Sequence, residues 1–390
     1  MKILFVASVC NLFEVHSGGA LRNNMFVEAL SHIGHVDIIT FHQKKIVSNI
    51  QNSDVIYSDI IEDKNYSWDF ARSWLSIALM PNNPYSYYKL NKRKAKIVNR
   101  YVHDGNYDII ACRYIESAIK CGLLKYKEKL VIDLDDHPVN KLEIIISQIK
   151  IPVVRWKKQY EKGRIGCMIE KVLNEVKCSF YSNSLEKPAK NSVYLHNTIS
   201  ISTKNEDVDI SQELCILYIG AFVYYPSRYG ILHFIDNIFP LIKEKIPDVK
   251  LRIVGKGSIE LIESFNMQKG IEAVGYVDDI VEEYKKARVV VVPIYQGTGT
   301  CIKFIEGLFM NRPVVSTPIG ARGFDSICRD GEHYMLANND EEFANKTIEL
   351  LSSISKSKEI ARNGYSIAQK NYSLERFCKI VKEAIIIHNY

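Results

Sequence analysis

The chain has 390 residues, 47% hydrophobic and 25% charged, with 20 glycines and 11 prolines. That composition excludes a disordered, collagen-like or low-complexity chain, the length asks for two domains, and no uncharged apolar run reaches the ~20 residues of a membrane span. The formal net charge of +6 is unequally shared: residues 1–200 carry 28 Lys and Arg against 20 Asp and Glu, and residues 201–390 carry 23 against 25. The basic first half suits an anionic surface, an acidic lipid or a phosphorylated substrate, while no helix-turn-helix, RNP or zinc-finger pattern points to nucleic acid.

The opening MKILFVASVC imitates a signal peptide. The apolar run is short, however, and no small-residue cleavage site follows, so a buried first strand over Ile3–Ala7 and a cytoplasmic chain are expected. Nine scattered cysteines without a C-x-x-C pair fit reduced thiols rather than disulfides or zinc. After the first strand come Ser17–Gly18–Gly19–Ala20 and a helix over Leu21–Ile33. Gly18 and Gly19 could admit an anion at the helix start, where Arg22 adds positive charge, or could form a plain tight turn.

Further strands are expected at Val36–Phe41, Val55–Ser58, Tyr107–Cys112, Leu130–Ile132, Cys178–Tyr181 and Val193–Leu195. Two cationic segments lie between them. Lys89–Tyr101 has Leu90, Ile97, Val98 and Tyr101 interspersed, and Arg155–Trp156–Lys157–Lys158 is shorter. Each reads as a dock for anionic lipid or as a solvated helix face. Val131–His137 ends a strand with Asp133, Asp135, Asp136 and His137. Like charges this close need partners or a task. The segment is the polar edge of an active-site cleft, the cap of the helix after Pro138, or a D-x-D metal site.

Asn197–Glu213 is polar and without period, a linker composition, and the strand pattern restarts after it. Strands are expected at Cys215–Ile219, Lys250–Val254, Ile271–Val274, Val289–Val292 and Pro313–Val315. Helices are expected at Tyr229–Lys245, Val277–Lys286, Ile302–Met310 and Glu341–Leu351. A terminal helix, Leu374–Tyr390, would carry Phe377, Ile380, Val381 and Ile385 on one face. The alternation predicts an α/β protein with two doubly wound parallel-sheet domains and a ligand at the carboxyl ends of the strands.

The densest signal is VVVVPIYQGTGTCIKFIEGLFMNRPVVSTPIGARGF, residues 289–324. A strand leads into Gly297–Thr298–Gly299–Thr300, then into a helix with Lys303 and Glu306 on one face, then into a second strand and the turn Gly320–Gly323. Loop amides at a helix start can hold a diphosphate, a lysine one turn in can neutralise it, and an ionised glutamate can accept from two ribose hydroxyls. The plain alternative is a surface helix with a solvated Lys–Glu pair.

From Leu214 to Gly323 the chain resembles the donor domain of GT-B glycosyltransferases, in particular retaining enzymes of family 4 (glycosyl transferases group 1). The matching landmarks are Leu217–Gly220, Tyr225–Pro226, Phe239–Pro240, Pro247–Asp248, Arg252–Gly255, Gly275–Asp279, the Gly297–Glu306 block, Pro313–Thr317 and Gly320–Ala321. The amino half matches loosely, at Gly18–Gly19, Tyr107–Asp108 and His196–Asn197.

The resemblance implies two Rossmann-like domains facing across a cleft. Residues 1–200 would bind the acceptor, 201–213 would link, 214–371 would hold a nucleotide-diphosphate sugar, and 372–390 would cross back onto the first domain. Gly275, Tyr276 and Val277 would lie beside the nucleobase. Glu306 would contact ribose, and Thr298 stands where the first glutamate of the family's E-x7-E motif belongs. The family's early basic pair is replaced by Ala221 and Ser227, and an arginine expected before the lysine is Cys301, which leaves Arg228 and Lys303 to supply charge. Asp135 or Asp136 would reach the donor sugar, and Gly18 and Gly19 would approach phosphate or acceptor. The expected reaction is retaining transfer, without metal or other cofactor, to a saccharide or lipid-linked saccharide of a bacterial surface polysaccharide. An epimerase, a phosphorylase and a catalytically degenerate partner subunit are the alternatives.

Overall fold

The protein is represented by a computed structural model, which describes residues 1–390 except 10, 14–17, 64–76, 78, 81, 136, 184–186, 200–209, 264–269, 298 and 388–390. Its chain divides into two compact units. The first holds Met1–Asn197 and Leu374–Tyr390, and the second holds Thr198–Ser373.

The first unit is built on a seven-stranded sheet: β1 (Lys2–Ala7), β2 (His35–Thr40), β3 (Ser53–Ser58), β4 (Ile109–Arg113), β5 (Leu130–Asp135), β6 (Cys178–Tyr181) and β7 (Ser192–Tyr194). The spatial order is β3-β2-β1-β4-β5-β6-β7, and every pairing is parallel. Both faces are covered, which is why these strands read as continuous apolar runs. Leu4, Val6, Ile110, Cys112 and Ile132 enter one core cluster. Their neighbours Ile3, Phe5, Ile109, Ala111 and Val131 enter the other, as the period of two requires.

The second unit repeats the plan with six strands: β8 (Cys215–Ile219), β9 (Lys250–Val254), β10 (Ile271–Gly275), β11 (Val289–Val292), β12 (Val314–Ser316) and β13 (Met335–Leu336). Their order is β10-β9-β8-β11-β12-β13, again all parallel. Ile216, Tyr218, Val289 and Val291 face one side; Leu217, Val290 and Val292 face the other. In both sheets the strand order reverses beside the first strand of the unit, the point at which ligands of doubly wound folds bind.

Helix ends differ modestly from the sequence reading. The first helix runs Gly18–Ser31. The segment expected as one helix over Tyr229–Lys245 begins earlier, at Tyr225–His233, passes through a π turn at Phe234–Ile238, and continues as Phe239–Lys245. Asp279 caps Ile280–Lys286 by accepting from the Val281 amide, so the residues before it stay extended. Leu374–Ile387 packs on the first helix, and Phe377, Val381 and Ile385 share a core with Met25, Phe26 and Leu30. Most of the linker, 200–209, and the chain end, 388–390, lie outside the described residues.

Candidate functional site

In the second unit β11 hands the chain to the 297–300 loop and the helix Ile302–Phe309, which buries Phe304, Ile305, Leu308 and Phe309. That anchoring turns Lys303 and Glu306 along the remaining face, both half-buried. The Lys303 ammonium donates to Ser227 Oγ at 3.1 Å and lies 5.9 Å from the Tyr218 ring centroid. Burial opposes its charge, but Tyr218, Cys301 and Glu306 favour it, and the balance holds its pKa above the ordinary lysine value. The lysine passes over the end of β8 so closely that a Cβ at Gly220 would stand 3.1 Å from Lys303 Cε. Glu306 accepts from the buried Tyr284 hydroxyl at 2.8 Å. Burial pushes its pKa up, against the pull of Tyr284 and Lys303. The helix start has Cys301 at its N-cap, which makes no side-chain capping bond, so the first-turn amides are not answered from that side chain.

The loop is held from behind. Arg322 Nη2 donates to the carbonyls of Gly297 at 2.7 Å and Gly299 at 3.2 Å. Across a planar trans peptide the N–H points opposite to its carbonyl, so the Thr300 amide faces away from this guanidinium. Gly323, at φ +87°, seats the 320–323 turn against the loop: a Cβ there would stand 2.3 Å from Thr300 Cγ2. Thr298 lies outside the described residues. Arg228 is exposed, one residue beyond the Ser227 that Lys303 engages. At the end of β10, Gly275 takes φ +83° and its amide donates to Ser258 Oγ at 2.9 Å. Tyr276 beyond it is exposed, and Val277 is half-buried.

In the first unit the carboxyl ends of β4 and β5 carry a compact ion cluster. Asp133 is fully buried. It receives Arg22 Nε and Nη2, each at 2.8 Å, and Arg113 Nε at 2.9 Å. Arg22 also donates to Asn197 Oδ1 at 2.6 Å and the Leu195 carbonyl at 3.2 Å. Arg113 reaches Asp135 at 2.7 Å and the Tyr114 hydroxyl at 3.1 Å. Desolvation would raise the Asp133 pKa, but the two arginines outweigh it and hold the carboxyl below the usual range.

Two readings of the sequence change here. Arg22 does not offer free charge at the glycine turn, because it is buried and neutralised by Asp133. The Asp133–Asp135 pair is taken up by guanidinium groups rather than standing open as a D-x-D site. The cap expected before Pro138 is present: His137 caps the helix Pro138–Gln148, its ring accepting from the Val139 amide. Asp136 lies outside the described residues, Gly18 opens the first helix, and the Gly19 carbonyl accepts from Arg113. Asp135 and Tyr114 both adopt positive φ, 58° and 64°. Such strained non-glycine backbone at adjacent strand ends marks a site held in place by its surroundings.

Residues 213–353 match the family model described as Glycosyl transferases group 1. Over that stretch, somewhat more than a third of the chain, the sequence is similar to this family. A relative aligned along nearly the whole chain is an uncharacterized 44.6 kDa protein in the cps region of Klebsiella pneumoniae, 24% identical over 409 residues, covering 98% of this chain and 99% of that protein. Among solved structures, sucrose-phosphate synthase from Thermosynechococcus elongatus has a TM-score of 0.67 at 15% identity, over 98% of this chain and 97% of that one. Anabaena HepE in complex with UDP has a TM-score of 0.64 at 14% identity, over 99% of this chain and 100% of that one. At such identities the likeness is one of fold, and that fold is the pair of parallel-sheet Rossmann-like units of GT-B glycosyltransferases.

Within the second unit, sequence reasoning missed the use made of three residues. Tyr284, which orients Glu306, is distant in sequence and signalled by no motif, and Ser227, noted only as standing at a position of the family's basic pair, was not expected to receive Lys303. Arg322 stood in the Gly320–Gly323 turn, and only the fold brings it behind the 297–300 loop.

Proposed function

We propose that this protein is a glycosyltransferase that moves a sugar, with retention and without a metal, from a nucleotide-diphosphate sugar to a saccharide or lipid-linked saccharide in polysaccharide synthesis. The observation that carries this reading is the Lys303 ammonium held on Ser227 beside the end of β8, in the first turn of a helix whose glycine loop is tied back by Arg322. Breaking an anomeric C–O bond puts negative charge on the departing diphosphate. Fixed amides and an ammonium stabilise that charge without reorganising. Lys303 is therefore the leaving-group cation, aided by Gly297, Thr298, Gly299, Thr300 and Arg228. Glu306, oriented by Tyr284, takes the ribose hydroxyls. Gly275, Tyr276 and Val277 flank the base.

Other proteins lend support. HepE was solved in complex with UDP, and a relative lies in a cps region. The test is transfer from radiolabelled nucleotide sugars with and without saccharide acceptors. Lys303→Ala is expected to lower turnover about 100-fold or more while remaining folded. Unchanged turnover removes Lys303 from its role. Sugar isomerisation without acceptor would make the protein an epimerase. Nucleotide binding without transfer would make it a degenerate partner subunit.

A further inference from the structure

The sequence offers two cationic segments, and the structure treats them differently. In Lys92–Gly105 the apolar residues are used internally: Ala95 and Val98 are buried, and Ile97 and Tyr101 pack against the core. Even Lys94 is buried, paired with Asp63 at 3.1 Å. What remains outside is a solvated basic face. The second segment starts the long helix Pro152–Glu175, which packs against Pro138–Gln148 to form a helical hairpin.

The tip of that hairpin leaves its apolar side chains uncovered. Ile145 is 51% exposed, Ile151 63%, Val153 74%, Val154 39% and Trp156 69%. The first buried side chain of the helix is Glu161, so its first two turns stand clear of the core. Residues 149–160 contain Lys150, Arg155, Lys157 and Lys158 and no carboxylate. The acids that flank this stretch in sequence are paired, Glu161 with Lys158 of the stretch at 2.6 Å and Glu143 with Lys162 at 2.5 Å. Trp156 stacks on Tyr160 with centroids 6.3 Å apart.

We infer that this hairpin tip, centred on Ile151, Val153 and Trp156, docks the protein on an anionic lipid bilayer. A tryptophan and aliphatic side chains ringed by lysine and arginine suit the boundary between acyl chains and acidic headgroups. Lys150 and Arg155 add positive charge at the tip, in a stretch of residues 149–160 that holds no carboxylate, and that charge favours a negative surface. No helix among the described residues is long and apolar enough to cross a membrane, so the contact lies in the interface. The inference goes beyond the donor-site reading and stands or falls separately from it.

The test is cosedimentation of the full chain with vesicles of phosphatidylcholine alone and of phosphatidylcholine mixed with phosphatidylglycerol, at low and high salt. Binding is expected only to the mixed vesicles and weaker in salt. The exposed triple variant Ile151→Ser, Val153→Ser, Trp156→Ser is expected to bind about tenfold or more weaker. The pair Lys150→Glu, Arg155→Glu is expected to lose about tenfold and most of the salt dependence. Equal binding to neutral vesicles, no binding at all, or full binding by the triple variant overturns the inference. So does a wild-type dimer in sedimentation that the triple variant converts to monomer, since a second copy would then cover the patch.

Discussion

Glu306 and Asp133 are both buried carboxylates, with opposite fates. Asp133 has two guanidinium partners and is stabilised as the anion. Glu306 has one neutral hydroxyl and a lysine beyond bonding distance to the described contacts, so burial dominates and raises its pKa. The ionised glutamate therefore costs the empty protein stability, and that cost grows as pH rises from the ordinary glutamate range through the raised value. Glu306→Gln keeps an acceptor for Tyr284 and removes the charge. Melting is expected to rise by about 2–4 °C for each kcal/mol relieved, while nucleotide affinity falls about tenfold through loss of charge-assisted bonds to ribose. Paired thermal melts and titration calorimetry check both signs, and a variant that melts lower and binds as before contradicts the assignment. Lys303, Glu306 and the glycines were legible in the sequence because a loop-and-helix motif keeps them within ten residues. Ser227, Tyr284 and the use made of Arg322 were not, because each comes from another element.

At the scale of elements, one buried cluster ties the first helix to the ends of β4 and β5 and to the residues after β7. Removing Asp133 would leave Arg22 and Arg113 buried without their shared partner. Asp133→Ala is expected to cost about 3–5 kcal/mol in urea unfolding. Because the folded-state pKa of Asp133 lies below its ordinary value, its contribution is complete above the usual ~3.9 of an aspartate and disappears as pH falls through the folded value. Wild-type stability should drop steeply in that acid window, and the variant should show a shallower drop. A variant as stable as wild type, with the same acid slope, contradicts the account. The sequence displayed the aspartates but not their partners, and a carboxylate run reads alike whether it awaits a ligand or an arginine. Twelve strands were readable because strands buried on both faces are apolar throughout. β13 was not, since two residues carry no period. The π turn at Phe234–Ile238 was equally invisible, because its apolar residues fit an uninterrupted helix.

At the scale of the whole molecule, two doubly wound parallel-sheet domains were legible from the alternation and its restart after residue 213, whereas the order of the strands, reversing beside the first strand of each sheet, came from the structure. The hairpin tip at Ile151–Trp156 was only half legible, since charge shows in sequence but exposure does not. The account rests on a diphosphate site in the second unit, and the most direct measurement is the thermal shift of the full chain with UDP and other nucleoside diphosphates, repeated with Lys303→Ala. A ligand bound only by the folded state raises stability by about 2.7 kcal/mol at a hundredfold excess over Kd. The wild type is expected to melt higher with at least one nucleoside diphosphate, more than with its monophosphate, and Lys303→Ala is expected to lose most of that shift. No shift with any nucleoside diphosphate, or an equal shift in the variant, would contradict it.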